Sequence, residues 1–217
     1  ASSADSSFAS SAPSPPADKD TGLIQTTQLS VKGANLSYGN VHISNKTQKH
    51  TVDIKGILNS EPAVKLTLGS EPEVLIVHTH TTEAYQKEDT GYYIKSENTR
   101  STDTSVNVAR VGEEIEKQLT AAGISVIHDK TLHDHPSYNG SYENAAKTIQ
   151  SYLKKYPSIK VVIDGHRDAI TREDQTKVKP TVEINGKKAA QVMIVAGCQE
   201  GSVYGFDSWQ ENLKLTV

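Results

Sequence analysis

Two short stretches hold the residues with the most chemical potential. In VLIVHTHTTE, His78, His80 and Glu83 follow the apolar run Val74–Val77, and in VVIDGHRDA a second apolar run ends at Asp164, His166 and Arg167. Imidazole and carboxylate together are the donor set of hydrolytic zinc, which typically takes three protein ligands and keeps a fourth position for a water whose pKa falls to about 7. His80 and Glu83 are three residues apart in a segment expected to leave a strand as a loop, so both side chains can turn towards one ion. His166, at the end of another strand, would complete the set. The candidate metal ligands are therefore His80, Glu83 and His166, with His78 and Asp103 as alternates.

Each of these residues also has a plainer reading. His78 fits a polar strand-end residue supporting the ligands, Asp103 a helix cap, and Glu83 a first-turn acid facing a helix dipole. Arg167 is suited to clamping a substrate carboxylate bidentately, or to pairing with Asp164 in the cleft wall. Tyr138, Ser141 and Tyr142, in HPSYNGSYENA, are candidates to line a groove for a sugar or peptide chain, while Asn139 or Ser141 could equally cap a helix there. The HDH triplet His133–His135 has a ligand-like spacing, but Pro136 beside it reads as a turn. There is no glycine-rich phosphate loop, nucleophile elbow or paired-cysteine site, and GCQEG around Cys198 is too loose a context for a thiol enzyme.

The elements needed to position these groups are legible. Val108, Val111, Ile115 and Leu119 recur at helical spacing within Ser105–Ala122, with Asp103 or Ser105 as cap and Gly123 as left-handed stop, and a strand Ile124–Ile127 follows. A second helix over Ser141–Tyr156 precedes a strand at Ile159–Ile163. This alternation implies right-handed crossovers and a largely parallel sheet, whose ligands gather beyond the carboxyl ends of its strands. Asn185-Gly186, between the β-like arms of TVEINGKKAAQVMIVAG, predicts a hairpin adding antiparallel strands at one edge. The expected fold is an α/β three-layer sandwich with a mixed, largely parallel sheet. A last helix is expected to start at Asp207 or Ser208.

Composition bounds the rest. The 217 residues, 35% hydrophobic and 23% charged, suit one globular domain with extra segments. The divisions expected are a disordered Ser/Ala/Pro-rich spacer over 1–28, a short β-rich lead-in over 29–70, and the main domain over 71–217. A formal net charge of −3 without a basic patch argues against nucleic acid as a partner. The lone Cys198 excludes an internal disulfide framework. No stretch reaches the roughly 18 apolar residues of a membrane span. The spacer weakly favours an extracytoplasmic protein whose anchor lies outside this chain.

Taken together, VLIVHTHTTEAY, TDTSVNVARVGEEI, HDHPSYNGSYENAAKTIQSYL, IDGHRDA and VMIVAG…WQENL resemble the stage II sporulation protein P family over about residues 40–217. The resemblance implies a zinc-dependent peptidoglycan hydrolase similar to N-acetylmuramoyl-L-alanine amidases, acting on stem peptides as an amidase and on cross-links as an endopeptidase. It implies an N-terminal membrane anchor, a location between mother cell and forespore during engulfment, and work alongside stage II sporulation proteins D and M. His80 and His166 match the family's metal histidines, and Glu83 the acid of its HTHTTE motif, whereas the aligned position in wall amidases points to Asp103. The general-base glutamate expected from such proteins falls beyond Val217. Two rival readings stay open: a non-catalytic wall- or partner-binding module, and a zinc peptidase of the HxxE type, whose spacing HTTE shares.

Overall fold

Val74–Val77 is buried on both faces, with every side chain at most 2% exposed, and the rest of the main domain is arranged around it. The structure, a computed structural model, describes residues 13–29, 33–47, 49–198 and 208–217. Its strands and helices run β1 (Thr21–Thr27), β2 (Leu36–Tyr38), β3 (Val41–Ile43), α1 (Ile54–Leu58), β4 (Val74–Val77), β5 (Tyr92–Ile94) and α2 (Val108–Ala121). They continue through β6 (Val126–His128), α3 (Ser141–Lys155), β7 (Val161–Asp164), β8 (Ile170–Thr171), β9 (Lys177–Ile184), β10 (Lys187–Ala190) and α4 (Trp209–Thr216).

β4 is the middle strand of a parallel sheet ordered β6-β4-β7, with Val74 in register with Val126 on one side and Val161 on the other. An unbroken apolar run is what a strand covered on both faces requires. Val74, Ile76 and Val161 form the core cluster, and Ile115 and Leu119 of α2 pack on it with Val64, Leu66, Val126 and Ile163. Each such aliphatic side chain contributes about 1.5–3 kcal/mol over its exposed state, which anchors the strand whose end carries HTHTTE. The chain passes from β4 through α2 to β6 and then back across β4 through α3 to β7. Right-handed connections in opposite directions put α2 and α3 on opposite faces. The crevice between the carboxyl ends of β4 and β7 is then the switch point where such sheets bind ligands.

The sheet is not the single mixed one expected from the sequence. The Asn185-Gly186 hairpin does form, with both residues in the left-handed region (φ 51° and 75°), as a two-residue primed turn demands. It joins a separate sheet ordered β10-β9-β1-β5, in which β1 runs parallel to β9 and antiparallel to β5, with β8 also on β9. Only Lys187–Ala190 pairs. Val192, Met193, Ile194 and Val195, read as part of the same arm, lie outside any strand at 67–86% exposure. The architecture is α/β with a parallel sheet and a separate mixed one.

The N-terminal divisions also change. Thr21–Thr27, placed within the spacer 1–28, is β1, because its order comes from backbone pairing with residues more than 60 positions away and not from its own apolar content. Residues 1–12 of that segment lie outside the described residues. Within the lead-in expected to be β-rich, β2 and β3 form a hairpin, but HTVDI (His50–Ile54) leads into a helix. Its Asp53 caps the short α1 by accepting the Gly56 N–H. Val64 and Leu66 are irregular and pack on the main core. Glu73 ties them in: its carboxylate accepts the Thr67 N–H at 2.5 Å and the Thr67 hydroxyl at 2.8 Å, and pairs with Lys160. The hydrogen bond from Lys160, followed by those from Thr67, brings the Glu73 carboxyl down to about 2.

Helix ends differ from the sequence reading in detail. Asn107 caps α2 by accepting the Ala109 N–H, while Asp103 and Ser105 form a turn ahead of it. α3 begins from Gly140 at φ 84° with no side-chain cap, so neither Asn139 nor Ser141 plays that part. Ser208 stands at the α4 cap position without a side-chain bond, and Asp207 lies outside the described residues.

Candidate functional site

The loop after β4 is fastened by its threonines, which frees the residues between them. The Thr79 N–H and hydroxyl donate to Asp164 at 2.8 and 2.6 Å, tying the end of β4 to the end of β7. The Thr81 hydroxyl lies within 2.7 and 2.6 Å of the His78 and Thr131 carbonyls. The Thr82 N–H and hydroxyl donate to Asp134 at 3.0 and 2.7 Å. Glu83 is held by isolated bridges, Glu83 with Arg100 and Ala84 with Asn107. A tight turn from the His80 carbonyl to the Glu83 N–H at 3.0 Å then brings both side chains to one side of the loop.

Both ring nitrogens of His78 are engaged within the fold. At 1% exposure, its Nδ1–H donates to the Gly165 carbonyl at 2.8 Å and its Nε2 shares one proton with His128 Nε2 at 2.9 Å. Burial pushes both imidazoles below the usual histidine range. Two glycines make the slot: a Cβ on Gly112 would lie 2.4 Å from His128 and 2.7 Å from His78, and one on Gly165 would lie 2.7 Å from His78. Asp103, the other alternate, is exposed and engaged by Ser105.

His80, Glu83 and His166 do come together. The His80 and His166 rings lie 5.4 Å apart, centroid to centroid, at 70°. His166 Nδ1 is 3.8 Å from Glu83 Oε2, and the same oxygen accepts the Arg167 N–H at 3.0 Å. Nδ1 of His80 is buried without a hydrogen-bond partner. Burial, the largest influence on it, lowers the His80 pKa below the usual histidine range. His166 is the opposite case: its Nε2 lies 3.0 Å from Asp164, and that hydrogen bond raises its pKa against the opposing effect of burial. For Asp164 burial works against ionisation, but the bonds from His166 and Thr79 prevail and hold it below the usual carboxylate range. Among the described residues, no three His, Cys, Asp or Glu side chains stand ready to hold a metal ion. His166 is engaged by Asp164, and Glu83 by the Arg167 N–H.

The aromatic residues expected at a groove surround His80. Tyr138 stacks on it at 4.6 Å and 12°, with its hydroxyl 3.3 Å from Nε2, and Tyr142 stands edge-on at 5.2 Å. Both are well exposed, at 54% and 64%. Ser141 between them is buried. Arg167 does not pair with Asp164. Its guanidinium donates to the Thr99 carbonyl at 2.9 Å, and its Nε is buried without a partner. The HDH triplet is a turn with structural work: His133 Nδ1–H donates to the His78 carbonyl at 2.8 Å, its Nε2 accepts from Thr148, and Asp134 receives Thr82 and Arg100. Cys198 is partly buried, which pushes its thiol up and away from reactivity.

Arg100, Asp134 and the three threonines escaped the sequence reading. The threonines left a faint signal, since HTHTT puts hydroxyls where a buried loop needs internal partners. Nothing local marks Arg100.

A parallel sheet with an imidazole–carboxylate cluster at the carboxyl ends of β4 and β7 makes this an α/β protein. The sequence profile of Stage II sporulation protein P matches residues 9–217, and the chain belongs to that family. The stage II sporulation protein P of Bacillus subtilis (strain 168) is 27% identical over 157 residues, covering 70% of this chain and 36% of that protein. The chain thus spans little more than a third of that relative's length. No solved structure matches it. Among the described residues, no helix is long and apolar enough to cross a membrane.

Proposed function

We propose that this chain is the catalytic part of a zinc-dependent peptidoglycan hydrolase of sporulation, an N-acetylmuramoyl-L-alanine amidase that also cuts peptide cross-links. The observation that carries the reading is the unpartnered, buried Nδ1 of His80, in a crevice shared with Glu83 and His166. An orphan imidazole nitrogen beside a carboxylate and a second imidazole fits a zinc ion as the missing partner. His80, Glu83 and His166 would hold it. Bound there, zinc would supply Lewis-acid polarisation of an amide carbonyl and activate water at neutral pH.

The chain's own residues prepare this chemistry. Asp164 orients His166 through Nε2, leaving Nδ1 towards Glu83, the arrangement by which a second carboxylate fixes a ligand histidine. The Arg167 N–H holds one oxygen of Glu83 in place. Tyr138 and Tyr142 are exposed aromatic residues beside His80, of the kind that lines a sugar- or peptide-binding rim. Arg167 would meet a stem-peptide carboxylate through its guanidinium. The N-terminal anchor, the extracytoplasmic location between mother cell and forespore, and the partnership with stage II sporulation proteins D and M belong to the same proposal for the whole protein.

Purified protein should bind about one zinc per chain, and His80→Ala or His166→Ala should abolish that binding while the fold survives. Digestion of purified peptidoglycan by the full-length protein, which would carry the general-base glutamate expected beyond Val217, should release stem peptides and cross-bridge fragments, read by mass spectrometry. Full zinc retention in both variants would sink the site; binding to wall without fragment release would favour a non-catalytic module, and cleavage of proteins alone an HxxE peptidase.

A further inference from the structure

We propose that Arg100 is the positioning residue of this site, setting the ring plane of His80 through Tyr138. The inference rests on the reading of His80 as a ligand and adds a residue to it. The Arg100 guanidinium carbon lies over the Tyr138 ring, 4.8 Å from its centroid, and Tyr138 stacks on His80 at 4.6 Å and 12°. Tyr138 is otherwise half exposed and hangs from the loop ahead of α3, so its ring needs something to hold it. A guanidinium over an aromatic face supplies that hold.

Arg100 is itself fixed from below. Its Nη1 donates to Asp134 at 2.6 Å and to the Thr82 hydroxyl at 3.1 Å, and the Asp134 side chain is fully buried. The bridge between Glu83 and Arg100 sets the two residues opposite each other, with Nη2 4.0 Å from Glu83 Oε1. One cation therefore backs two of the three proposed ligands, His80 through an aromatic ring and Glu83 directly. A lysine would keep the charge and the pairing with Asp134 but has no planar fork to lie on Tyr138. Arg100→Lys thus separates the stack from the ion pair.

The first test uses metal-free protein. In NMR spectra, the His80 ring protons should carry an upfield ring-current shift from Tyr138, with Tyr138→Leu defining its absence. Arg100→Lys should move those resonances more than half of the way to the Tyr138→Leu position; a smaller movement overturns the proposal. Should Arg100→Lys fail to fold, the unsubstituted protein decides: cross-peaks between Arg100 side-chain protons and the Tyr138 ring are required, and their absence overturns it. In the second test, competition with a chromophoric chelator, Arg100→Lys should weaken zinc binding by about 10–100-fold, the usual effect of losing a group that orients a ligand. Zinc affinity equal to the unsubstituted protein's would overturn the positioning role. If the unsubstituted protein binds no zinc, the hydrolase reading fails, and the metal-free comparison still decides the role of Arg100.

Discussion

Replacing Gly112 by alanine sets two effects of known size against each other. In the middle of an exposed helix the change is favourable by about 1 kcal/mol, because alanine loses less backbone entropy. Here the new Cβ would stand 2.4 and 2.6 Å from ring atoms of His128 and 2.7 Å from Nε2 of His78, so something must move. The rings have little room to yield. His78 is bonded through both nitrogens, to Gly165 and to His128, and Gly165 closes its other side. Displacing them costs about 1–3 kcal/mol of overpacking, and a buried imidazole left without its partner costs roughly 1–3 kcal/mol more. The clash wins, with a net loss of about 3 kcal/mol. For a chain of this size that lowers the melting temperature by roughly 6–12 °C. Urea unfolding followed by circular dichroism, with a thermal melt alongside, measures it. His128→Ala removes the nearest atoms, so Gly112→Ala in that background should lose at least half of its cost, a coupling that a double-mutant cycle reads directly. A Gly112→Ala protein as stable as the parent, or more so, would refute the packed dihistidine slot.

Two further outcomes concern titration. Glu73 has a folded pKa of about 2 against an ordinary 4.5, so its contribution to stability is present above pH 4.5 and is lost as pH falls towards 2. Glu73→Gln should lower stability at pH 7 and flatten that acid limb, measured by urea midpoints across pH; an unchanged acid limb counts against the Glu73–Lys160–Thr67 tie. His166 is raised and Asp164 lowered by their mutual bond, so the pair stabilises the fold above the lowered Asp164 pKa and fades as pH rises through the raised His166 pKa. Asp164→Asn should bring the His166 pKa down in an NMR titration of the metal-free protein, and a His166 curve identical to the parent's would show that the bond is not formed in solution.

Most of the central unit was legible in the residues. An apolar run with no alternation, VLIV, can only be a strand covered on both faces, and helical spacing in Val108–Leu119 leaves one stripe to cover it. The hairpin at Asn185-Gly186 was legible because few residues other than Asn and Gly accept two successive left-handed conformations. Where that hairpin docks was not. β1 pairs with β9 across some 150 residues of chain, and such pairing is backbone hydrogen bonding that leaves little trace in side-chain composition. For the same reason a Thr-rich stretch beside a Ser/Ala/Pro tail read as spacer although it is a strand.

The candidate site divides in the same way. Residue type and strand-end position pointed to His80, Glu83 and His166, with His78 and Asp103 as alternates, because coordination chemistry restricts which side chains can serve and α/β topology restricts where they gather. Only the folded chain could separate two histidines that lie two residues apart: His78 turns inward to Gly165 and His128, and His80 keeps a nitrogen free. Burial and hydrogen-bond partners make that distinction, and both are properties of neighbours distant in sequence. Arg100 depends on them entirely, since its role comes from meeting Asp134, Tyr138 and Glu83, which no local pattern brings together.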